Sequence, residues 1–396
     1  MFIQKIKRRL KHAYYGLMGK YNSLDSLQDR IESLRDHISL TPRSVEYVMI
    51  SPSYMCTYEC FFCSTHSYLL KPGEYADAIN ANYLPEFVKD KNNFLLPLDT
   101  YERLIRDLKL LRVRHIDFSG IGEPLLHPDI VQMVALASKN GIGTSITSNG
   151  SILTPEKFDA LASAGLGTLV LSVNSLVPER YEQIHGKAGR EGYKRLFGLF
   201  EHIAARKQER LAMPVYASFA ITPGNMDEIE AIEAFKRTYL LDKVNYTPVN
   251  AHECSMQYAL SEDHVNSVAA AITRLTDQKG EEFKHLWEST AKRNEMDLPC
   301  YTGTKFVWIN SNGDVICCCF GYYVLGNIKK QSFQSIWTSD KYILFRKKAL
   351  SMHLTKKPPE IANCTQCPMP CAYHEELGDD AAGLHEALRI LYGGLS

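Results

Sequence analysis

Between about residues 44 and 250 the sequence alternates short apolar strand patterns with amphipathic helical ones, and few folds accept that alternation. The strand patterns are Val45–Ser51, His115–Ser119, Gly143–Ser148, Thr168–Asn174, Val215–Thr222 and Lys243–Val249. Between them, Thr100 precedes Leu104, Ile105, Leu108 and Leu111 at helical spacing. Thr154 and Pro155 offer an N-cap and a first-turn proline to a helix that closes near Gly165, and Asn225 with Glu228 reads as a capping box. Six strands separated by helices predict an α/β fold with a parallel sheet and right-handed crossovers, either open or curled into a partial barrel. Ligands of such sheets gather at the carboxyl ends of the strands, so the loops that follow each strand are where chemistry is expected.

Composition narrows the function classes. The 396 residues carry 45 basic and 45 acidic side chains, a net charge of zero, which argues against a general nucleic-acid binder. No apolar run approaches the ~20 residues of a membrane-spanning helix. The N-terminus lacks an apolar core of the secretory type, so a reducing, cytoplasmic setting is expected. In that setting eleven cysteines, most of them clustered, point to metal or cofactor binding rather than to disulfides.

The flanking regions divide as follows. Residues 1–43 read as two helices, the first with six cations and no acid in its first twenty residues. Docking on its own domain is the preferred reading, with weak peripheral contact of residues 1–20 on an anionic membrane as the other. Residues 66–98 form a long connection of the kind that serves as a lid or substrate loop. Residues 251–299 read as a helical linker. In region 300–374, Thr304–Asn310 and Asp314–Cys318 read as a hairpin about Ser311-Asn312-Gly313, and 375–396 ends in a short tail helix.

The first cysteine cluster, Cys56-Thr-Tyr-Glu-Cys60-Phe-Phe-Cys63, follows the first strand directly. Three thiolates at this spacing suit three irons of a [4Fe–4S] cube and leave the fourth open. A zinc site would want a fourth ligand, for which His66 is the nearest residue. A redox pair would use Cys60 and Cys63 and leave Cys56 unexplained. At this point the sequence resembles the radical S-adenosylmethionine (radical SAM) enzymes, whose CxxxCxΦC signature places an aromatic residue where Phe62 stands. Further motifs resemble the family's in order along the chain. Gly120-Ile121-Gly122-Glu123-Pro124 is similar to the motif that receives the amino group of SAM, with Ile121 in place of its first glycine. Thr147-Ser148-Asn149-Gly150 resembles its turn after the third strand. The resemblance implies that Ser172 and Asn174 contact the ribose and carboxylate of SAM, and that Ile221 and Tyr246 flank adenine. It also implies a partial (β/α)6 barrel, a SAM-bound [4Fe–4S] cluster, a 5′-deoxyadenosyl radical, and a one-electron donor such as flavodoxin or ferredoxin.

A second constellation lies C-terminal: Cys300, the run Cys317, Cys318 and Cys319, and Cys364-Thr-Gln-Cys367-Pro-Met-Pro-Cys371. By spacing alone it suits zinc or iron equally. Its position after the barrel resembles the SPASM/Twitch extensions of the family, small α+β domains with auxiliary clusters. The missing downstream cysteine favours the shorter version, with one auxiliary [4Fe–4S] cluster on Cys300, Cys318, Cys364 and Cys367. Cys317, Cys319 and Cys371 are held as substitutes, and Cys254 as a core residue.

The resemblance implies hydrogen abstraction from a polar small molecule of sugar or aminocyclitol type, with the substrate radical oxidised through the auxiliary cluster. Alternatives are a peptide- or protein-modifying enzyme, a redox-neutral sugar epimerase or dehydratase, and a non-catalytic scaffold. The catalytic base is unassigned; Lys187, Arg190, His252 and Glu253 lie near strand ends without distinction. His127 and His185 read as local structure, and His374 as a spare ligand.

Overall fold

The computed structural model describes residues 35–355, apart from 37, 72, 75, 77, 277, 292–298 and 318–322, together with residue 388. The reading of 1–34 and of the tail helix lies outside these. Six strands, β1 (Tyr47–Ile50), β2 (His115–Phe118), β3 (Gly143–Ser148), β4 (Thr168–Ser172), β5 (Val215–Ile221) and β6 (Lys243–Pro248), pair in parallel. Their spatial order is their chain order. No strand order reverses, so right-handed crossovers place the helices on one face and the sheet curls as the expected partial (β/α)6 barrel.

Period-two alternation sorts the side chains. Ile50, Ile116, Ile146, Leu169, Phe219 and Val244 face the helices and are fully buried. Against them pack helices with apolar stripes at helical spacing. Ile130–Lys139 buries Ile130, Met133, Val134 and Ala137, and Gly189–Gln208 buries Leu196, Leu199, Phe200 and Ile203. The helix after β3 starts as expected: the Thr154 side chain accepts from Lys157 N–H at 3.2 Å, with Pro155 in the first turn.

Two helix starts differ from expectation. The helix before β2 runs Leu98–Leu110, because Pro97, fixed at φ −58°, opens it two residues before Thr100. Asn225 makes no capping hydrogen bond; its carbonyl oxygen accepts from Thr222 N–H at 2.7 Å and its amide donates to the Asn174 carbonyl at 2.6 Å. Glu228 instead accepts from Ser175 Oγ and Leu176 N–H, so both residues of the supposed box tie down the turn after β4.

The C-terminal hairpin is part of the same sheet. β7 (Phe306–Ile309) pairs in parallel with β1, Tyr47 opposite Phe306, and β8 (Asp314–Ile316) and β9 (Val324–Asn327) follow antiparallel, giving nine strands. The linker supplies two helices, Glu262–Leu275 and Gly280–Ala291. Among the described residues no helix is long and apolar enough to cross a membrane.

Helix Asp340–Thr355 is joined to this edge by Arg346, fully buried. Its guanidinium donates to the carbonyls of Gly303, Leu40 and Trp337 at 2.7, 2.8 and 2.7 Å and stacks on the Trp337 and Tyr342 rings. Burial pulls its pKa down to about 10, opposed by Tyr342, and it stays cationic at neutral pH. Replacing Arg346 by Met strands three carbonyls and a cation–π stack. We expect a loss of roughly 3 kcal/mol in chemical denaturation followed by tryptophan fluorescence.

Candidate active site

The cysteine loop is set by its aromatic neighbours. Tyr58 and Phe61 are buried, Phe61 stacking on Tyr258 at 4.0 Å and meeting Phe62 edge to face at 5.3 Å. On either side of Cys60, Glu59 N–H and Phe61 N–H donate to the carbonyls of His185 and Ile184 at 3.2 and 3.1 Å. Three thiols are thereby held in one short turn, and each has a polar neighbour. Asn149 Nδ2 donates to Cys56 Sγ at 3.7 Å, and His185 Nδ1 lies 3.0 Å from Cys60 Sγ. His66 N–H donates to Cys63 Sγ at 3.3 Å, with Thr65 Oγ1 at 3.4 Å.

Burial pushes the Cys56 thiol up to about 12, aided by Glu123 and Cys63. Burial, with Cys63 and Cys56 alongside, pushes Cys60 well above the usual thiol range. Thiolates in such a place need a strong positive charge between them. Three sulfurs of one short turn are the donor set that a [4Fe–4S] cube with one open iron requires.

The loop after β2 closes over the same turn. Glu123 N–H donates to the Met55 carbonyl at 2.7 Å. At Gly122 an added Cβ would lie 2.5 Å from the backbone of Ser53 and Tyr54, so only glycine permits this approach. Ile121 replaces a family glycine at no steric cost, because its side chain packs on Trp308 and Ile316 of the C-terminal hairpin. Gly120, at φ +120°, leaves room for Ser51 Oγ, which accepts from Trp308 Nε1 at 2.7 Å.

The Glu123 carboxylate points inward. It accepts from Ser148 Oγ and Asn149 N–H, both at 2.8 Å, and from Leu125 N–H at 3.0 Å. Burial raises its pKa, and these donors with Lys157 oppose the rise. Cys56, Glu123, Ser148 and Asn149 are thus brought together. Ser172 sits at the lumen-facing parity of β4, half-buried. Asn174, buried at φ +61°, accepts from Ala220 N–H at 2.9 Å and turns its amide nitrogen to His185. Ile221 shares the parity of the fully buried Ala217 and Phe219; the Tyr246 hydroxyl donates to Glu233 on helix Ile229–Thr238, and Tyr246 also borders the barrel lumen.

A cavity of about 630 Å³ lies at the amino-terminal mouth of the barrel, opposite the strand ends that carry the cysteine loop; Tyr47, His115, Thr168, Tyr216 and Lys243 line it, with Asp117, Ser145, Thr147, Ser218 and Asn245 further in and Phe283 across from them. His115 Nε2 lies 2.8 Å from Ser145 Oγ, Ser145 donates to Asp117, and Ser119 donates to Asp117 at 2.5 Å. Sequence reading passed over these residues, although strand alternation alone places them inward. His185, read as local structure, packs against Tyr58 and Tyr181 and also reaches the Cys60 thiol. Of the base candidates, Arg190 pairs with Glu182 on the surface and Lys187 is exposed.

At the second constellation, Cys300 is half-buried, 3.1 Å from Thr302 Oγ1, and Cys317 is fully buried in the core. Cys318, Cys364 and Cys367, with Cys319 and Cys371, lie outside the described residues.

A radical SAM family model matches residues 50–235, and a SPASM iron–sulfur cluster-binding domain matches 300–368. The chain belongs to the radical SAM superfamily. Its cofactors are accordingly a SAM-binding [4Fe–4S] cluster, SAM and auxiliary iron–sulfur binding in the SPASM domain. It is 33% identical to a probable GTP 3′,8-cyclase of Thermococcus kodakarensis over 44% of this chain and 48% of that protein. It is 30% identical to a PqqA peptide cyclase of Ruegeria pomeroyi over 34% of each. The chain therefore spans about half or less of these relatives. In fold it is similar to Streptococcus suis SuiB bound to S-adenosylmethionine, with a TM-score of 0.57 and 18% identity over 86% of this chain and 78% of that one.

Replacing Cys56, Cys60 and Cys63 together by alanine should remove about four irons per chain from the reconstituted protein and abolish SAM cleavage, read by iron assay and by 5′-deoxyadenosine formation.

His127 gives a pH test of the same region. It is buried, its Nε2–H donates to the Leu96 carbonyl at 2.8 Å, and its Nδ1 accepts from Asp129 N–H at 3.1 Å. Burial lowers its pKa, opposed by Leu96 and Asp129. The unfolded chain therefore takes up this proton near pH ~6.5 while the folded one does not, so its contribution is present above that pH and declines below it. The metal-free protein should lose thermal stability from pH 7.5 to 5.5, and His127→Gln should make the decline shallower.

Proposed function

We propose that the chain oxidises a secondary alcohol on a polar small molecule of the sugar or aminocyclitol type. The hydrogen atom on the carbinol carbon goes to 5′-deoxyadenosine, the remaining electron to an auxiliary [4Fe–4S] cluster on Cys300, Cys318, Cys364 and Cys367, and the hydroxyl proton to a base, leaving a ketone. The observation that supports this reading is the iron–sulfur cluster-binding domain matched at residues 300–368, whose strand β7 continues the barrel sheet beside β1 and so offers the substrate electron a path.

Bound at Cys56, Cys60 and Cys63, the first cluster with SAM supplies the 5′-deoxyadenosyl radical. The chain's own part is orientation and enclosure. Asp117, held by Ser119 and Ser145, is a buried carboxylate inside the barrel below the loop after β2. The long connection after the cysteines contributes helix Ala78–Val88. Its Tyr83 hydroxyl donates to Asp314 at 3.1 Å and accepts from Asn310 at 2.9 Å, which supports a fixed wall between barrel and hairpin. A flavodoxin or ferredoxin in the reducing cytoplasm would deliver the electron for SAM cleavage.

A second reading, modification of a peptide side chain, is favoured by the likeness to a PqqA peptide cyclase. Deuterium transfer separates the two. Reduced, reconstituted enzyme and SAM are incubated anaerobically with an extract of source cells grown in deuterated medium and split by ultrafiltration. We expect deuterium in 5′-deoxyadenosine from the low-mass filtrate. Deuterium arriving only from the retained fraction would overturn the small-molecule reading.

A further inference from the structure

We infer that His185 is a positioning residue for the SAM-binding cluster, donating a hydrogen bond from Nδ1 to Cys60 Sγ and raising the potential at which that cluster accepts an electron. The inference rests on the cluster assignment and is independent of the substrate reading.

His185 ends helix Pro178–His185, where Gly186 at φ +78° turns the chain away. Its backbone carbonyl and that of Ile184 receive the N–H groups of Glu59 and Phe61, so the helix end is clamped to the cysteine loop on both sides of Cys60. The ring lies in face contact with two phenols, Tyr58 at 4.7 Å and Tyr181 at 4.2 Å between centroids, and these hydroxyls meet at 3.3 Å. At 1% exposure it has no solvent to share its nitrogens with, and Nδ1 stands 3.0 Å from Cys60 Sγ.

The tautomer follows from Asn174. Ala220 N–H donates to Asn174 Oδ1 at 2.9 Å, so Nδ2 is the amide atom that faces His185 Nε2, at 3.4 Å. Two acceptors compete for the one ring proton, the Val173 carbonyl and Cys60 Sγ. An amide nitrogen only donates, so Nε2 accepts from Asn174, and a charged thiolate accepts more strongly than a carbonyl, which puts the proton on Nδ1, aimed at sulfur. Asn174 is itself held in the left-handed region at φ +61°, with its carbonyl taken by Asn225 Nδ2 at 2.6 Å. A relay thus runs from the turn after β5 through Asn174 and His185 to one cluster thiolate.

The direction of the effect follows from charge. The reduced cluster carries one more negative charge than the oxidised one, spread over its sulfurs and ligand thiolates. A hydrogen-bond donor on a ligand sulfur therefore favours the reduced form and raises the potential.

The test uses holoenzyme reconstituted anaerobically and reads, by reductive titration with electron paramagnetic resonance, the cluster whose spectrum changes on SAM addition. His185→Leu should lower its midpoint so that the reduced-to-oxidised ratio at a fixed potential falls about tenfold, about 59 mV for one electron. His185→Asn keeps a donor nitrogen at the Nδ1 position and should recover most of that shift. In parallel, wild-type protein carrying ring-15N histidine should show a nitrogen coupling to that cluster, absent from His185→Asn. An unchanged midpoint in the Leu variant, or equal shifts in both variants, would overturn the inference. If the Leu variant fails to load iron, a missing ring-nitrogen coupling in the wild type does so instead.

Discussion

Three thiols crowded into one buried turn are the constraint on which the remaining architecture depends. Desolvation and mutual repulsion resist ionisation at Cys56 and Cys60, so the turn is comfortable only when a cationic group sits among the sulfurs. Everything around it supplies hydrogen to sulfur rather than a competing cation: the Asn149 amide, the His185 ring and the His66 backbone. Glu123, whose charge adds to the resistance of Cys56 to ionisation, is satisfied by Ser148, Asn149 and Leu125. Two of the donors to sulfur come from the framework, Asn149 from the turn after β3 and His185 from the end of its helix, and the third, His66, from the cysteine loop itself.

The same sheet ties the two halves of the chain together. β7 continues the barrel beside β1, the strand that leads into the cysteines, and Trp308 on β7 donates to Ser51 at the end of β1. Ile121, the residue that departs from the family's glycine-rich loop, is the apolar contact that receives this hairpin. A substitution that looks like a loosened loop in the sequence is thus a joint between the loop over the cysteine turn and the strand that carries the C-terminal domain. Movement of the hairpin would be felt at Gly122, whose backbone already touches the cysteine loop.

What could be read from the sequence follows from how local the cause is. Strands β2 to β6 match their patterns within two residues, because alternation and turn chemistry are local. The Thr154–Pro155 helix start was legible for the same reason. Thr100 misled because Pro97, three residues earlier, fixes the backbone first. Asn225 and Glu228 misled because a capping-box spacing is met equally by two side chains recruited to a distant turn. The pairing of β7 with β1 is separated by some 260 residues and leaves no local trace. His185 likewise acquires its meaning only when the end of its helix meets the cysteine loop.

The barrel lumen shows how the fold separates stability from chemistry. On each strand, one parity packs against helices and admits little but Ile, Leu, Val and Phe, while the opposite parity faces a space that stability leaves free to vary. Here that freedom is occupied by His115, Asp117, Ser145, Thr147, Ser218 and Asn245. Tyr47, Val170 and Tyr216 share that parity, so the lumen mixes apolar and polar groups and stays half-exposed at its amino-terminal mouth. Stability is thereby concentrated in the helix-facing layer, and chemistry is left to the loops at the opposite strand ends, where Glu123, Asn149 and the cysteine turn meet.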